Sequence, residues 1–314
     1  MRCLMVTSQT TDVDSLVRAW DCWNATPSFR TTFYHMGNIP QDVHILRDAV
    51  AYKPDVIFYI GAAGCPGIPS IKTLKKLRDM APSINLCCDA IDEPWPSLIK
   101  EYAAAGCFDL QVTLDGTRAA PVDLATVTPV DPRPYEGPGP RKDIRCGFSG
   151  SVSMPGNWMK RASENNKVRT RIIVGLHEQF LLELRKRTAD STYPDHVAFI
   201  RRCRTFINLS FSGSGEQHQV KGHVLETGWA GAALLEYADS PIADWFPEGC
   251  WFPFRTIDEA AALIRGLSDA EIEAAALALS TFVRAKYRPE SIYGEILSRC
   301  GLFPAVAAPV SLRA

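Results

Sequence analysis

The residues with the most chemical potential stand close together between positions 221 and 236. Lys221 and Gly222 precede a short predicted helix that carries a carboxylate, Glu226, in its first turns. A second glycine, Gly231, follows the helix, and an apolar run then ends at another carboxylate, Glu236. A helix N-terminus behind a glycine turn is well suited to bind a diphosphate. The segment therefore predicts a site for a diphosphate with a sugar hydroxyl beside it.

A second small-residue loop, Ser149-Gly150-Ser151, follows the predicted strand 144–148. Small residues with free backbone amides fit a diphosphate, but an ordinary strand-end turn explains them equally well. Arg169 and Arg171 on the next predicted helix could add positive charge. Arginines on a helix surface usually have no specific role, so we expect little from either.

A glycine turn, Gly61-Ala62-Ala63-Gly64, follows the clearest strand of the chain, residues 55–60. It lacks the Gly-x-Gly-x-x-Gly spacing, so it is only a weak indication of a nicotinamide or flavin site. We interpret it as a loop whose backbone approaches a ligand. Trp95 and Trp229 could stack on a sugar or a base, although tryptophans of this kind more often belong to a core.

The elements that position these residues alternate between strand and helix. The first 120 or so residues repeat this alternation, which indicates a parallel sheet covered on both faces. Prolines then become frequent, and the alternation resumes after position 143 with a predicted helix over 167–186. A capping box at Ser268 opens a further helix that extends to about residue 287. We predict an N-terminal Rossmann-like domain over 1–125, a linker over 126–142, a C-terminal Rossmann-like domain over 143–300 and a tail over 301–314.

Composition excludes several classes of protein. The 314 residues carry a formal net charge of −1, so we expect no nucleic-acid partner through the overall field. No apolar run approaches the ~18 residues that span a bilayer, so we expect no transmembrane segment and a cytoplasmic location. The ten cysteines are scattered as expected for reduced thiols, and no cysteine or histidine cluster has zinc spacing. We therefore expect no bound metal.

Part of the C-terminal half resembles a known family. The matching residues are Asn208, Lys221-Gly222-His223-Val224-Leu225-Glu226, Gly231, Leu234-Leu235-Glu236, Phe246 with Gly249, and Phe254 with Asp258-Glu259. In this order and spacing they resemble the GT-B-fold glycosyltransferases of the CgeB type, which are related to the retaining glycosyltransferase family four. The resemblance covers about 60 residues. It implies an α/β chain of two Rossmann-like domains that face a central cleft.

The resemblance also implies roles for the residues of the donor domain. Lys221 and the amide of Gly222 would stabilise the leaving diphosphate, and His223 could assist if it is protonated. Glu226 would accept hydrogen bonds from the two ribose hydroxyls of a nucleotide. Gly231 would form the helix-to-strand turn, and Glu236 would either touch the donor or only cap its strand. No cofactor is implied, because the nucleoside-diphosphate sugar, for instance a UDP-sugar, is itself the donor substrate.

The acceptor side is expected in the first domain, where Asp89, Asp92 and Glu93 follow the predicted strand 84–88. If the enzyme inverts configuration, one of the three, with Asp89 and Asp92 favoured, could be the general base that takes the acceptor proton. If it retains configuration, these residues would only position the acceptor. The acceptor itself, whether saccharide, protein or small molecule, is not indicated.

The chain differs from the family pattern at two positions. His223 replaces the usual arginine, and His218 stands where the broader retaining family has the first of two glutamates. These differences leave the stereochemical outcome open and support an alternative, a non-catalytic protein that binds a nucleotide sugar or acts as a partner subunit. A third hypothesis, a Rossmann-type oxidoreductase, lacks its glycine fingerprint.

Overall fold

The four central strands of the N-terminal sheet are buried along their whole length, because helices cover both faces of the sheet. The computed structural model of the chain describes residues 1–8, 14–33, 41–61, 67–150, 152, 163–186, 192–212 and 214–303. Within them, a parallel sheet has the order β2-β1-β3-β4-β5-β6. Its strands are β1 (Cys3–Thr7), β2 (Phe29–Thr32), β3 (Val56–Ile60), β4 (Ser83–Cys87), β5 (Leu110–Thr113) and β6 (Leu124–Ala125). This all-parallel, doubly covered sheet is the predicted Rossmann-like arrangement.

Four helices follow the strands of this sheet: α1 (Asp14–Trp23), α2 (Asp42–Tyr52), α3 (Ile71–Met80) and α4 (Trp95–Ala105). The start of α3 has a local cause, since the Ser70 side chain accepts a hydrogen bond from the Thr73 amide. At the C-terminus of α4, Gly106 has a left-handed φ of 66° and accommodates the turn into β5.

The second sheet is also parallel, with the order β11-β10-β9-β7-β8 among the described strands. The strands are β7 (Ile144–Gly150), β8 (Glu183–Lys186), β9 (Cys203–Asn208), β10 (Ala233–Tyr237) and β11 (Trp251–Phe254). The helices are α5 (Glu164–Glu178), α6 (Tyr193–Arg202), α7 (Gly222–Trp229), α8 (Ile257–Gly266) and α9 (Asp269–Lys286). Short 3-10 helices cover Arg133–Tyr135 and Pro241–Asp244.

Helix α7 lies deep in this part of the protein, and residues 224–229 are all buried. Gly228 lets it pack closely on α9, since a Cβ at position 228 would lie 2.6 Å from Cγ2 of Val283. The helix ends in a tight turn at Gly231, whose φ of 64° is left-handed, as we predicted for this glycine.

The chain divides into two compact units, Met1–Asp131 with Arg288–Ala314, and Pro132–Tyr287. This division differs from the predicted domains, which placed residues up to 300 in the C-terminal domain and a linker over 126–142. The last helix, α10 (Pro289–Arg299), belongs to the first unit. The Tyr293 hydroxyl donates to the Leu16 carbonyl at 2.7 Å, and its ring packs edge-on against Trp20 at 5.1 Å. These buried contacts hold the C-terminal helix against α1.

Between positions 167 and 202 one predicted element is wrong and one helix was not predicted. The helix predicted over 167–186 is helix α5 followed by strand β8, because the chain turns at Phe180, with φ 56°, and then pairs with β7. Helix α6 was not predicted, although Thr192 and Asp195 form a capping box at its start. The capping box at Ser268 is confirmed, and it opens α9. Among the described helices, none is both long enough and apolar enough to cross a membrane.

Candidate functional site

The central feature of the second unit is a buried pair of side chains from two successive helices. Glu226 lies on α7 and is 8% exposed, and His196 lies on α6 and is 9% exposed. Nε2 of His196 is 3.0 Å from Oε2 of Glu226. His223, one turn before Glu226, places its own Nε2 3.7 Å from the same oxygen. Two imidazoles therefore face one carboxylate near the N-terminus of α7.

The other side of the His196 ring is held by β7. Nδ1 of His196 is 3.0 Å from the hydroxyl of Ser149, and Nη1 of Arg185 donates to the same hydroxyl at 3.3 Å. Ser149 is itself buried at 4% exposure. A continuous chain of hydrogen bonds thus runs from Arg185 through Ser149 and His196 to Glu226.

Electrostatics fix the charge states of Glu226 and His223. Burial alone would raise the pKa of Glu226, but His196, His223 and the hydroxyl of Tyr135 favour the carboxylate and lower the pKa to about 2. Burial lowers the pKa of His223 to about 4 despite the nearby Glu226. This lowered pKa favours the neutral ring at pH 7, whereas the assistance expected from His223 requires the protonated one.

Tyr135 contributes from the 3-10 helix at the beginning of the unit. Its ring is 3% exposed, and its hydroxyl is a hydrogen-bond partner of Glu226. Burial, with a smaller contribution from Glu226, raises the pKa of Tyr135 well above the usual value, so the hydroxyl keeps its proton and donates. The Tyr193 hydroxyl lies 3.3 Å from that of Tyr135.

Positive charge gathers beside this cluster. Arg169 on α5 packs over the Phe148 ring, with Cζ 5.4 Å from the centroid, and a Cβ at Gly150 would lie 3.1 Å from its Nη2. Burial lowers the pKa of Arg169, and within the described part of the chain its buried Nε has no hydrogen-bond partner. Arg169 and Lys221 also help to lower the pKa of His223. The combination of two cations with a helix N-terminus suits an anion.

The same side chains have ligand spacing for a metal. The ligand atoms of His196, His223 and Glu226 all lie within 4.8 Å of one another. Sequence spacing could not have indicated this group, because His196 is 30 positions from Glu226. Two histidines and a glutamate are a known zinc set. Arg169 and Lys221 oppose a cation here by Coulomb repulsion, so the charge distribution favours an anionic ligand.

The structure brings together only some of the residues predicted for the donor site. Lys221 is the N-cap of α7 and Gly222 is its first residue, next to His223. Ser149 points to His196, and Gly150 ends β7 against Arg169. Ser151 lies outside the described residues.

Of the two roles expected for Glu236, contact with the donor or capping of its strand, the enclosed position of its side chain favours the second. Its side chain on β10 is 0% exposed, and Asn208 on the neighbouring strand donates to its Oε2 at 2.8 Å. Burial raises the pKa of Glu236 to about 8, against the opposing hydrogen bonds of Ser210 and Asn208. A protonated acid enclosed in this way is part of the core.

In the first unit, Asp89 follows β4 and has a left-handed φ of 56°, while Asp92 is 7% exposed. Gly61 follows β3, and a Cβ there would lie 2.8 Å from the Trp95 ring. The glycine at position 61 is therefore explained by its contact with Trp95. The rest of that predicted turn, residues 62–64, lies outside the described part. Trp229 is 2% exposed and belongs to the core.

Sequence reasoning missed two residues around Glu226, His196 and Tyr135, and gave little weight to a third, Arg169. His196 lies on the unpredicted helix α6, whose capping box was the available signal. Arg169 was given no specific role because its burial cannot be read from its helix position. Tyr135 stands in the proline-rich segment, far before Glu226 in the chain, and no sequence pattern links the two.

Comparison with solved structures identifies the fold, whereas neither a family model nor a curated protein matches the sequence. HepE from Anabaena in complex with UDP-glucose is similar over 96% of this chain and 99% of its own, with 12% identity and a TM-score of 0.59. An alpha-glucosyltransferase in complex with UDP and a DNA 13-mer is similar over 95% and 99%, with 12% identity and a TM-score of 0.56. The trehalose-6-phosphate synthase OtsA is similar over 96% and 99%, with 9% identity and a TM-score of 0.59. The protein therefore has the GT-B fold that the motif around Glu226 predicted.

Proposed function

We propose that the protein is a glycosyltransferase that moves a sugar from a nucleoside-diphosphate sugar to an acceptor hydroxyl. The observation that carries this proposal is the ionised Glu226 on α7, whose neighbour His223 lies within the electrostatic reach of Arg169 and Lys221 at the start of the same helix. A carboxylate can accept from two hydroxyls at once, and the cations and helix amides suit a diphosphate. UDP is the nucleotide we favour, because HepE and the alpha-glucosyltransferase were each solved with it.

In this proposal each residue has a separate task. Glu226 accepts hydrogen bonds from the ribose hydroxyls. Arg169, Lys221 and the amide of Gly222 stabilise the negative charge that develops on the leaving diphosphate. His223 is neutral and acts as a hydrogen-bonding group. The diphosphate charge is met by protein groups, so the reaction proposed here needs no metal.

On the acceptor side, the proposal assigns the proton transfer to the first unit. Asp89 or Asp92 would take the acceptor proton if the reaction inverts configuration. The position of both residues just beyond the carboxyl end of β4 supports this assignment, because ligands of parallel α/β sheets bind at the carboxyl ends of the strands.

A direct test is to incubate the protein with UDP-glucose and other nucleotide sugars and to measure the nucleoside diphosphate released. Turnover above the rate without protein would support the proposal. A parallel melting experiment would compare UDP, GDP and NAD, because a ligand at ~100 times its Kd adds about 2.7 kcal/mol of stability. Stabilisation by NAD and by neither diphosphate would contradict the proposal.

A non-catalytic nucleotide-sugar binder is the second candidate. The observation that favours it is His218, which stands where the broader family has a glutamate and packs on Tyr237 with ring centroids 5.7 Å apart. Tight binding of UDP without release from any UDP-sugar would identify this alternative.

A further inference from the structure

His196 is held at both ring nitrogens, and this makes it an anchor for the carboxylate beside it. We propose that His196 is a positioning residue, which orients the Glu226 carboxylate toward the ribose of the nucleotide without touching the nucleotide itself. The inference rests on the proposed function, since it assumes that Glu226 binds a ribose. It adds Ser149 and Arg185 to the site as residues that act through His196.

The directions of the hydrogen bonds support this role. Glu226 is a carboxylate and can only accept, so His196 donates from Nε2 across 3.0 Å. Arg185 can only donate, so the Ser149 hydroxyl accepts from it and shares a hydrogen bond with Nδ1 of His196 at 3.0 Å. The imidazole is therefore fixed in rotation and in the position of its Nε2 proton. A ring fixed in this way determines where Oε2 of Glu226 lies.

The helices that carry the pair are fixed as well. The capping box of Thr192 and Asp195 defines the start of α6, one turn before His196. At the other end, Nζ of Lys142 donates to the carbonyls of Cys203 at 2.8 Å and Ala230 at 3.1 Å, just after α6 and α7 respectively. The geometry between the two side chains is thus set before any ligand arrives. Preorganisation of this kind increases affinity because less conformational entropy is lost on binding.

The arrangement changes the interpretation of Ser149. Its sequence context suggested a direct diphosphate contact, yet its hydroxyl is occupied by His196 and Arg185, and its side chain is buried. Ser149 then contributes to nucleotide binding only through the imidazole. Contact with the diphosphate falls to Arg169 and Lys221.

The test compares two ligands, UDP and 2′,3′-dideoxy-UDP, which lacks both ribose hydroxyls. Calorimetry would give the Kd of each for the wild type, His196→Ala, His196→Gln and Ser149→Ala. We expect His196→Ala to weaken UDP binding about tenfold and dideoxy-UDP binding less than twofold. The variant loses the hydrogen bond that orients the charged Glu226, and only a ligand with ribose hydroxyls uses that carboxylate. His196→Gln retains an amide donor and should restore most of the preference for UDP. Ser149→Ala should lie between the wild type and His196→Ala.

The ratio of the two affinities separates positioning from a merely structural role. If His196→Ala leaves the ratio of the two Kd values as it is in the wild type, whether or not both ligands bind more weakly, the inference is wrong. His177→Ala is the matched control, since this histidine lies on α5 of the same unit and its Nδ1 is 3.0 Å from the Leu182 carbonyl. If His196→Ala does not fold, His196→Gln against His196→Asn gives the same comparison, because the shorter amide cannot reach Glu226. Failure of the wild type to bind UDP would instead overturn the proposed function.

Discussion

Oε2 of Glu226 lies 3.0 Å from Nε2 of His196, although the two residues are 30 positions apart and belong to different helices. Burial alone would raise the pKa of Glu226, but this contact, together with His223 and the Tyr135 hydroxyl, lowers it to about 2 and keeps the carboxylate ionised. A charged acceptor is therefore fixed near the N-terminus of α7, beside Arg169 and Lys221. A bound ribonucleotide diphosphate would match this distribution of charge.

Replacement of Arg169 tests the anionic part of the site. We expect Arg169→Ala to weaken UDP binding by about tenfold or more, because a charge-assisted contact to phosphate is lost. The affinity of the variant should also depend less on salt concentration. Arg171→Ala is the control, since Arg171 is exposed and lies two residues further along α5. Equal effects of the two substitutions in calorimetry would show that Arg169 has no particular role.

Lys221 at the N-cap of α7 is expected to act mainly on the transition state. If it meets charge that develops on the leaving group, Lys221→Ala should lower kcat about 100-fold and change the Kd for UDP only a few-fold. Lys221→Arg keeps the charge and should recover much of kcat. Steady-state kinetics with a UDP-sugar and calorimetry with UDP measure the two quantities. If UDP binding weakens by as large a factor as kcat falls, Lys221 acts only as a ground-state contact.

The buried Glu236 should make the protein less stable as the pH rises. Its carboxyl keeps its proton up to a pKa of about 8 in the folded protein, whereas the ordinary value is 4.5. Between these values the unfolded chain is ionised and the folded chain is not, so the free energy of unfolding falls as pH increases. Glu236→Gln removes this penalty and should be more stable by about 3 kcal/mol at pH 7.

Urea unfolding at pH 5, 6, 7 and 8 would measure this difference. The gain from Glu236→Gln should grow steadily over that range. Glu248→Gln, at an exposed position, should have no such slope. A gain that is the same at every pH would contradict the assignment of a protonated Glu236.

Gly228 allows α7 to lie close to α9, and this packing holds Glu226 in place. We expect Gly228→Ala to destabilise the protein by about 1–3 kcal/mol, because the new methyl would lie 2.6 Å from Val283 Cγ2. Gly266→Ala is the control, as a Cβ there would meet nothing within 4 Å. The double variant with Val283→Ala should recover part of the loss. Chemical denaturation that shows no difference between the two single variants would contradict this packing.

The sequence predicted the helices and strands better than it predicted the group of side chains around Glu226. Strands such as β3 and helices with strong caps such as α9 have short-range signals, and these were confirmed. Residues 180–186 mix apolar and charged side chains in a pattern that fits helix or strand, and only the pairing with β7 decides. The last helix could not be assigned to the first unit, because its contacts with Leu16 and Trp20 span most of the chain.

The candidate site shows the same division. Glu226 and Lys221 were predicted because they belong to one contiguous motif. His196 and Tyr135 were not, since their relation to Glu226 comes from burial and tertiary contact. Arg169 was considered only as a possible positive charge, because its nearness to His223 is a tertiary relation. Even the charge state of His223 depends on burial, which spacing along the chain does not reveal.

Calorimetric titration of UDP into the wild type and into Glu226→Ala tests the central claim most directly. We predict that the wild type binds UDP and that the variant, folded by its melting curve, binds at least tenfold more weakly. If the two proteins bind UDP equally well, Glu226 is not the ribose contact and the proposed nucleotide site is wrong.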